Sequence, residues 1–195
     1  MARTAGATKA DSHDRIVGAA AKAIRREGYA GTSVAEVMKD AGLTHGGFYA
    51  HFPSRDAMLA EALDRAGAES LESLFGAASV RAAAENLDPL EAIVDTYLSD
   101  QHAAATESGC TIAALGSETR RQSPAIKKVA TRRLQEFAKL LERQTASTPH
   151  APEPLGALSA LVGALVISRI VDQPALAKQV REAAARLVLA KPRKR

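Results

Sequence analysis

The segment 28–55, GYAGTSVAEVMKDAGLTHGGFYAHFPSR, restricts the fold more than any other part of the sequence. It holds two short stretches with helical apolar spacing, and between them lies Gly42, where a left-handed residue is needed to end a helix. Ser33 and Glu36 have the spacing of a capping box, which predicts that the first helix begins directly after Ser33. Pro53 ends the second helix, because proline disfavours helix in the residue before it. Two short helices joined by a tight turn predict a helix-turn-helix, which places its second helix in the major groove of DNA.

The second helix of this segment, predicted over residues 45–51, contains an unusual pair of glycines. Phe48 and Phe52 are four residues apart and are expected to face the core together. Gly46 and Gly47 cost about 1 kcal/mol each relative to alanine inside a helix. Two explanations follow: the backbone approaches a phosphate or a neighbouring helix closely at this point, or the helix begins later and the glycines belong to the turn.

The rest of the sequence is also helical in its periodicity, with no convincing strand pattern. We predict an all-α fold of about nine helices, with an N-terminal three-helix DNA-binding unit and a larger C-terminal helical body for ligand binding and dimerisation. The predicted divisions are a disordered arm over 1–10, the helix-turn-helix domain over 11–57, the C-terminal domain over 58–190 and a basic tail over 191–195. Helices are expected over 12–27 and from Arg55 to about Leu74, with breaks near Gly76 and Asn86. Further helices are expected to begin near Asp88, Ser108, Ser123, Leu155 and Ala175.

The helix predicted over 155–171 is apolar around most of its circumference. Such a helix must be buried on nearly all sides. In a short chain a second copy of the protein would bury it, and burial inside the monomer is the alternative. The residues predicted for a dimer interface are Leu158, Val162, Leu165, Val166, Val180 and Leu187.

Composition and charge narrow the class of protein. No apolar run approaches the roughly 18 residues of a membrane span, the first residues lack the apolar region of a secretory signal, and a single cysteine excludes an internal disulfide. We therefore expect a cytoplasmic protein with no membrane partner. Residues 1–57 carry eight Lys or Arg against six Asp or Glu, and residues 58–190 carry fourteen against sixteen. This weak local charge implies that DNA affinity depends on a dimer presenting the helix-turn-helix twice. The basic tail is either a solvated chain end or a phosphate contact.

An enzyme is not indicated. The five histidines are scattered without the spacing of a metal-ligand pair, and no phosphate-binding glycine loop or serine nucleophile motif is present. We therefore predict no catalytic residues, no metal site and no cofactor.

The same segment resembles the TetR family of bacterial transcriptional regulators, and within it AcrR-like members. The matching elements are Gly28-Tyr29, Thr32-Ser33, Ala41-Gly42-Leu43, Gly47-Phe48-Tyr49, His51-Phe52 and Ser54-Arg55, followed by an apolar helix. The resemblance implies an all-α homodimer that dimerises through its last two helices. It also implies a repressor that is released from a pseudo-palindromic DNA operator by a small-molecule effector.

The resemblance also implies which residues face DNA. These are Thr32, Ser33, Thr44, His45, Gly46, Gly47, Tyr49, His51 and Arg55. Arg55 corresponds to a position that contacts phosphate, and such contacts orient the protein while base contacts give specificity. A packing role beside Phe52 is the alternative for His51. The competing function is a small-molecule-binding or adaptor protein that keeps the fold without reading DNA.

Two residues of the C-terminal body are candidates for sensing an effector. Ser108-Gly109-Cys110 resembles a subgroup in which a Gly-Cys pair begins the sixth helix and the cysteine senses electrophiles and oxidants. A cysteine near a helix N-terminus has a lowered pKa, which permits this role, but a lone cysteine also packs as a small apolar residue. Tyr97 is the only obvious aromatic and polar group for an effector pocket between about Leu90 and Val171.

Overall fold

The structure is a computed structural model that describes residues 8–148 and 151–190. Within these ranges the regular structure is entirely helical, which confirms the predicted all-α class. The elements are α1 (Lys9–Gly31), α2 (Val34–Asp40), a 3₁₀ helix (His45–Ala50), α3 (Arg55–Glu85), α4 (Pro89–Tyr97), α5 (Asp100–Ala104), α6 (Thr111–Thr119), α7 (Pro124–Gln144), α8 (Pro154–Ile170) and α9 (Pro174–Leu189). No helix in the described ranges has both the length and the apolar character needed to cross a membrane. The basic tail and most of the predicted arm lie outside the described residues.

Helix α1 begins earlier than the sequence pattern indicated. Thr8 caps it by accepting a hydrogen bond from the backbone N–H of Asp11, and the Asp11 carboxylate accepts one from the N–H of Thr8. This capping box satisfies two of the free N–H groups at the helix start. Lys9 and Ala10 are therefore helical, and the prediction of disorder up to residue 10 is wrong for them.

Gly28 interrupts α1 near its end. Its φ of 72° and ψ of 178° lie in a region that is accessible essentially only to glycine. The chain then makes one further turn to Gly31, so Tyr29 leaves the axis of the preceding helix and its ring is buried. A Cβ atom at Gly28 would lie 2.5 Å from Oε1 of Glu118 on α6, so the position is constrained both by its backbone and by its neighbour.

The helix-turn-helix has the predicted caps. The Ser33 hydroxyl accepts a hydrogen bond from the N–H of Glu36 at 3.1 Å and donates one to the Glu36 carboxylate. The carboxylate therefore accepts from the Ser33 hydroxyl and not from the Ser33 N–H. Gly42 has a φ of 66° and ends α2 in the left-handed conformation. Arg15 of α1 donates to the carbonyl of Ala41 beside it and so fixes the turn against α1.

The second helix of the motif is a 3₁₀ helix rather than an α-helix. It spans only six residues and includes both Gly46 and Gly47, so the glycines do not belong to the preceding turn. Glycine favours the helical backbone poorly, and the tighter 3₁₀ form is the usual geometry of such short pieces. Thr44 lies at the N-cap position, but its hydroxyl makes no capping hydrogen bond and is exposed.

Helix α3 is longer than predicted and continues through Gly76 to Glu85. Phe75 and Ala78 are buried on either side of this glycine, and their packing outweighs the roughly 1 kcal/mol that one glycine costs in a helix. Asn86, in the left-handed conformation, ends the helix as predicted.

The buried side chains form two cores that share α3. The first core contains α1, α2, Phe48 and the first part of α3 up to Ala66, together with Leu115 of α6 and Ile126 of α7. The second core begins at Leu71 on α3 and includes α4, α7, α8 and α9. The boundary between the two cores therefore lies within α3, between Ala66 and Leu71. This is later in the chain than the domain boundary that we placed at residue 57.

Helices α8 and α9 bury one face and expose the other. Leu158 and Leu165, which we predicted for a dimer interface, are buried in the second core of the monomer. They point inward because the apolar residues of α8 surround the helix, and one side of it packs against α6, α7 and α9. Val162, Val166 and Val180 are half-buried, and Leu187 is 70% exposed.

The Gly28 conformation gives a direct prediction. We expect Gly28→Ala to lower the free energy of unfolding in urea by at least about 1–3 kcal/mol, because alanine is strained at this φ and ψ and its Cβ would displace Glu118. Gly76→Ala is the matched control, since a Cβ there meets no atom within 4 Å and the backbone is helical. The control should gain up to about 1 kcal/mol. Equal stability of the two variants would contradict this role of Gly28.

Candidate DNA-binding surface and its contact with the C-terminal body

The 3₁₀ helix presents a surface of small and polar groups. Thr44, His45 and Gly46 are exposed, and Tyr49 is 76% exposed despite its size. The Tyr49 ring is held edge-on against buried Phe48, with their centroids 5.2 Å apart. An exposed aromatic ring with a hydroxyl, a free threonine hydroxyl and an imidazole are groups that donate to phosphates and base edges.

The two glycines of this helix differ in their surroundings. A Cβ at Gly46 would meet no atom within 4 Å, whereas one at Gly47 would touch Met38 and Thr44 at ordinary contact distances. No helix in the described part of the chain therefore requires glycine at position 46. Close approach of Gly46 to a phosphate stays a prediction.

Two residues predicted to face DNA are turned inward. The side chain of Thr32 is buried, and its hydroxyl donates to the carbonyl of Gly28 at 2.8 Å. The guanidinium of Arg55 donates to the carbonyls of Tyr29 and Thr32, with a distance of 2.9 Å to the latter. Both side chains thus satisfy carbonyls where α1 ends, because the last carbonyls of a helix have no partner within it.

His51 lies at the edge of the same surface and is half-buried. Its ring centroid is 6.1 Å from that of His13 on α1, and its Nδ1 is buried without a hydrogen-bond partner among the described residues. His13, rather than His51, stacks on Phe52, with centroids 4.5 Å apart. Phe52, which we predicted to pack beside His51, therefore stacks on His13 instead.

The C-terminal body contacts this unit through the end of α6. The carboxylate of Glu118 accepts a hydrogen bond from the backbone N–H of Tyr29 at 3.0 Å. The hydroxyls of Tyr29 and Thr119 are 3.1 Å apart, and Thr119 donates its proton to the carbonyl of Leu115. Burial raises the pKa of the Tyr29 hydroxyl, which stays protonated and donates to Thr119. Two adjacent residues of α6 thus hold the point where α1 is broken.

The region around Cys110 is a second polar cluster, buried between α4, α5 and α8. Tyr97 is fully buried, and its hydroxyl makes no hydrogen bond to the described residues. Burial, together with the neighbouring Cys110, raises the pKa of this hydroxyl well above its ordinary value. Tyr97 packs against Phe137 and His102 with centroids 5.8 and 4.7 Å away, so it belongs to the core rather than to an open pocket.

Cys110 lies at the N-cap of α6, where the sequence placed a helix start. The residue is only 3% exposed. Reactive cysteines are partly exposed, so this burial favours the packing role over the sensing role. Arg169 of α8 lies beside the cluster and donates to the carbonyls of His102, Ala103 and Ala105, which fixes the loop before Cys110.

His102 connects the two ends of that loop. The N–H of Cys110 donates to Nε2 of His102 at 3.1 Å, so this nitrogen carries no proton. Nδ1 therefore carries the proton and donates to the carbonyl of Tyr97 at 2.6 Å. Burial, and to a lesser degree the charge of Arg169, lowers the pKa of His102 below its ordinary value of 6.5.

The family model described as "Bacterial regulatory proteins, tetR family" matches residues 16–62, which include α1, α2, the 3₁₀ helix and the start of α3. Two uncharacterized HTH-type transcriptional regulators of Mycobacterium tuberculosis, from strains H37Rv and CDC 1551, are 32% identical over 124 residues. The match covers 60% of this chain and 61% of the length of these relatives.

Solved structures share the fold over nearly the whole chain. Reduced NemR of Escherichia coli has a TM-score of 0.73 and 19% identity, covering 94% of this chain and 100% of that one. AibR, crystallised with isovaleryl coenzyme A and operator DNA, has a TM-score of 0.59 and 13% identity, covering 93% of this chain and 100% of that one.

The capped α2, the Gly42 turn and the exposed 3₁₀ helix form a helix-turn-helix, and they lie within the segment 16–62 that matches the TetR family model. The similarity to that family's model covers this N-terminal unit, and the likeness to the solved structures shows that the fold of the chain is shared. The AcrR-like subdivision stays a prediction.

Sequence reasoning missed the residues that join the two parts of the protein. Glu118 and Tyr29 are 89 positions apart, and His102 joins residues on both sides of a loop that had no predicted structure. No local sequence pattern marks Glu118, Tyr29 or His102 as a residue that joins distant parts of the chain. The pairing of a buried N–H with a carboxylate is visible only in three dimensions.

The His102 geometry predicts a pH dependence of stability. Since the folded state disfavours the charged imidazole, the contribution of His102 to stability is complete above pH 6.5 and is lost as the pH falls below this value. We expect His102→Gln to weaken the fall in urea midpoint between about pH 7 and pH 5. His45→Gln, which removes an exposed imidazole, is the control and should retain the wild-type slope. Identical slopes in all three proteins would refute the assignment.

Proposed function

We propose that the protein is a sequence-specific DNA-binding transcriptional regulator, acting as a homodimeric repressor that a small molecule releases from DNA. The observation that carries this proposal is the exposed 3₁₀ helix, with Tyr49 standing out from a turn that Gly42 and Arg15 fix in place. A large aromatic side chain left in solvent on a rigid support is typical of a binding surface. Double-stranded DNA with a pseudo-palindromic operator is the proposed partner.

The exposed apolar face of the last two helices supports a dimer. Ile167 is 45% exposed and Ile170 75% exposed on α8, and Leu187 is 70% exposed on α9. Half-buried Val162 and Val166 continue the apolar surface of α8. A second copy of the chain would cover these residues and place two helix-turn-helix units at a fixed spacing, as a two-fold operator requires.

The contact between α6 and the N-terminal unit supports control by an effector. A ligand that alters the position of α6 would move Glu118 and Thr119 and hence the base of the helix-turn-helix. Such a ligand releases DNA only if it prefers the displaced arrangement. The structural neighbour AibR was crystallised with both isovaleryl coenzyme A and operator DNA. This agrees with a body that binds the ligand and an N-terminal unit that binds DNA.

The competing function is a small-molecule-binding or adaptor protein that does not read DNA. The two are separated by selecting bound fragments of genomic DNA and measuring affinity against salt concentration. A regulator should enrich a short two-fold sequence, and its affinity should fall steeply with salt as phosphate counterions are released. Failure to bind any fragment at low salt would leave the adaptor function.

Gly46→Ala tests whether this glycine lies against DNA. Because a Cβ there meets no atom within 4 Å, folding stability should be unchanged or rise by up to about 1 kcal/mol. Affinity for the selected operator should fall about five- to tenfold, which corresponds to about 1 kcal/mol or slightly more. Melting curves and mobility-shift titrations measure the two quantities. Wild-type DNA affinity in this variant would show that close approach is not needed.

Leu187→Asp tests the proposed dimer surface. A buried, unpaired carboxylate is costly at an apolar interface, so analytical ultracentrifugation should show monomers where the wild type is dimeric. Operator affinity should fall at least about tenfold, because two contacts no longer act together. Val80→Asp, which places the same charge at a residue 72% exposed on α3, is the control and should stay dimeric. A dimer that survives Leu187→Asp would place the interface elsewhere.

A further inference from the structure

A mostly apolar cavity of about 360 Å³ lies between α3, α6 and α7. Its volume is near the lower end of the range for ligand pockets, about 300–1,000 Å³. Tyr97, our sequence candidate for a ligand contact, does not line it. The apolar part of the lining consists of Leu63, Ile112, Ala130 and Leu134. Apart from Leu63, the lining residues fall within the region 90–171 in which we predicted the effector pocket, although Tyr97 is not among them.

The charged part of the lining is entirely basic. Arg120 and Lys127 are exposed at the cavity, and neither forms an ion pair with a described residue. Arg133 also lines the cavity, but Asp64 and Glu136 accept hydrogen bonds from its guanidinium at 2.6 Å each. No acidic residue contributes to the lining. Two uncompensated positive charges thus stand beside an apolar surface.

We infer that this cavity binds an anionic amphiphile, a carboxylate with a short or medium apolar chain. The chain would cover the apolar lining, and the carboxylate would accept hydrogen bonds from Arg120 and Lys127. A planar guanidinium matches a carboxylate in geometry, and charge-assisted hydrogen bonds of this kind are about twice as strong as neutral ones. A cationic ligand would be repelled by Arg120 and Lys127, and a neutral ligand would leave both cations without an anionic partner.

The cavity is adjacent to the contact that holds the helix-turn-helix. Thr119 lines the cavity, and its hydroxyl is 3.1 Å from that of Tyr29. Glu118, the next residue on α6, accepts the hydrogen bond from the Tyr29 N–H. One helix therefore forms a wall of the cavity and fixes α1 at Gly28. This part of the inference rests on the proposed function, because it makes the bound amphiphile the effector.

The two cations could instead contact DNA phosphates directly. Their position beside an apolar cavity favours the ligand, since phosphate contacts need no apolar surface next to them. The hydroxyls of Thr119 and Thr131 also line the cavity, but they donate to the carbonyls of Leu115 and Lys127, so the two cations are the donors for the head group. If the two cations contacted DNA, their removal would lower operator affinity without any ligand.

Isothermal titration calorimetry on the full chain with octanoate, octanol and octylamine tests the binding step. The three probes share a chain and differ in the charge of the head group. Octanoate should bind at least about tenfold more tightly than either of the others. Octanoate that does not bind, or that binds no better than octanol or octylamine, overturns the inference.

Paired variants test the two cations. Arg120→Gln with Lys127→Gln should weaken octanoate binding at least about tenfold and leave octanol unchanged. Arg121→Gln with Lys128→Gln is the matched control, because these exposed neighbours do not line the cavity. Octanoate affinity within about twofold of wild type is expected for the control. Equal losses in both pairs would mean a general charge effect and would refute the site.

Filling the cavity tests its location. Gly116 lines it, and a Cβ at this position meets no atom within 4 Å, so Gly116→Leu adds volume without displacing the helix. This variant should lose octanoate binding while keeping its thermal stability. Gly76→Leu, an equally open position that does not line the cavity, should bind octanoate as the wild type does. Retained binding in Gly116→Leu would place the ligand elsewhere.

Mobility shifts on the selected operator separate this inference from the proposed function. Octanoate should release the wild type, and it should not release the Arg120→Gln, Lys127→Gln variant, whose operator affinity without ligand should equal that of the wild type. A variant that loses operator affinity without ligand would assign the cations to DNA and overturn the ligand site. A chain that binds octanoate but no DNA would instead refute the regulator function alone.

Discussion

The fold depends on how α6 is held against the break in α1. At Gly28 the backbone takes a conformation that leaves the Tyr29 N–H outside the helical pattern, and the Glu118 carboxylate accepts it. The carbonyls at the end of α1 accept hydrogen bonds from Arg55 and Thr32. Buried backbone groups must be paired, so this set of hydrogen bonds fixes the orientation of the helix-turn-helix relative to the body.

Helix α3 adds a second, apolar connection. Its first half packs in the core of the N-terminal unit, and its second half packs in the core with α4, α7, α8 and α9. Because one helix belongs to both cores, a shift of α6 or α7 against α3 would reach the helix-turn-helix without a flexible linker. The cavity with the basic lining lies between these three helices.

The sequence predicted local features well where the signal lay within a few residues. Ser33 and Gly42 have the predicted roles in capping and ending helices. The predictions failed where packing overrides propensity: α3 continues through Gly76, and Leu158 and Leu165 face the monomer core. Thr32 was assigned to a surface by position, yet its hydroxyl donates to the carbonyl of Gly28, which lies in the last turn of α1.

The sequence alone determined the all-α class, the helix-turn-helix and its exposed tyrosine, because caps, glycine turns and apolar spacing act over three or four residues. The tertiary structure decided which polar groups meet across 60 to 90 positions, as Glu118 does with Tyr29 and Arg133 with Asp64. It also decided which charges stay unpaired beside an apolar cavity. Such properties depend on the relative placement of whole helices, and this placement is set by the packing of both cores together rather than by any local pattern.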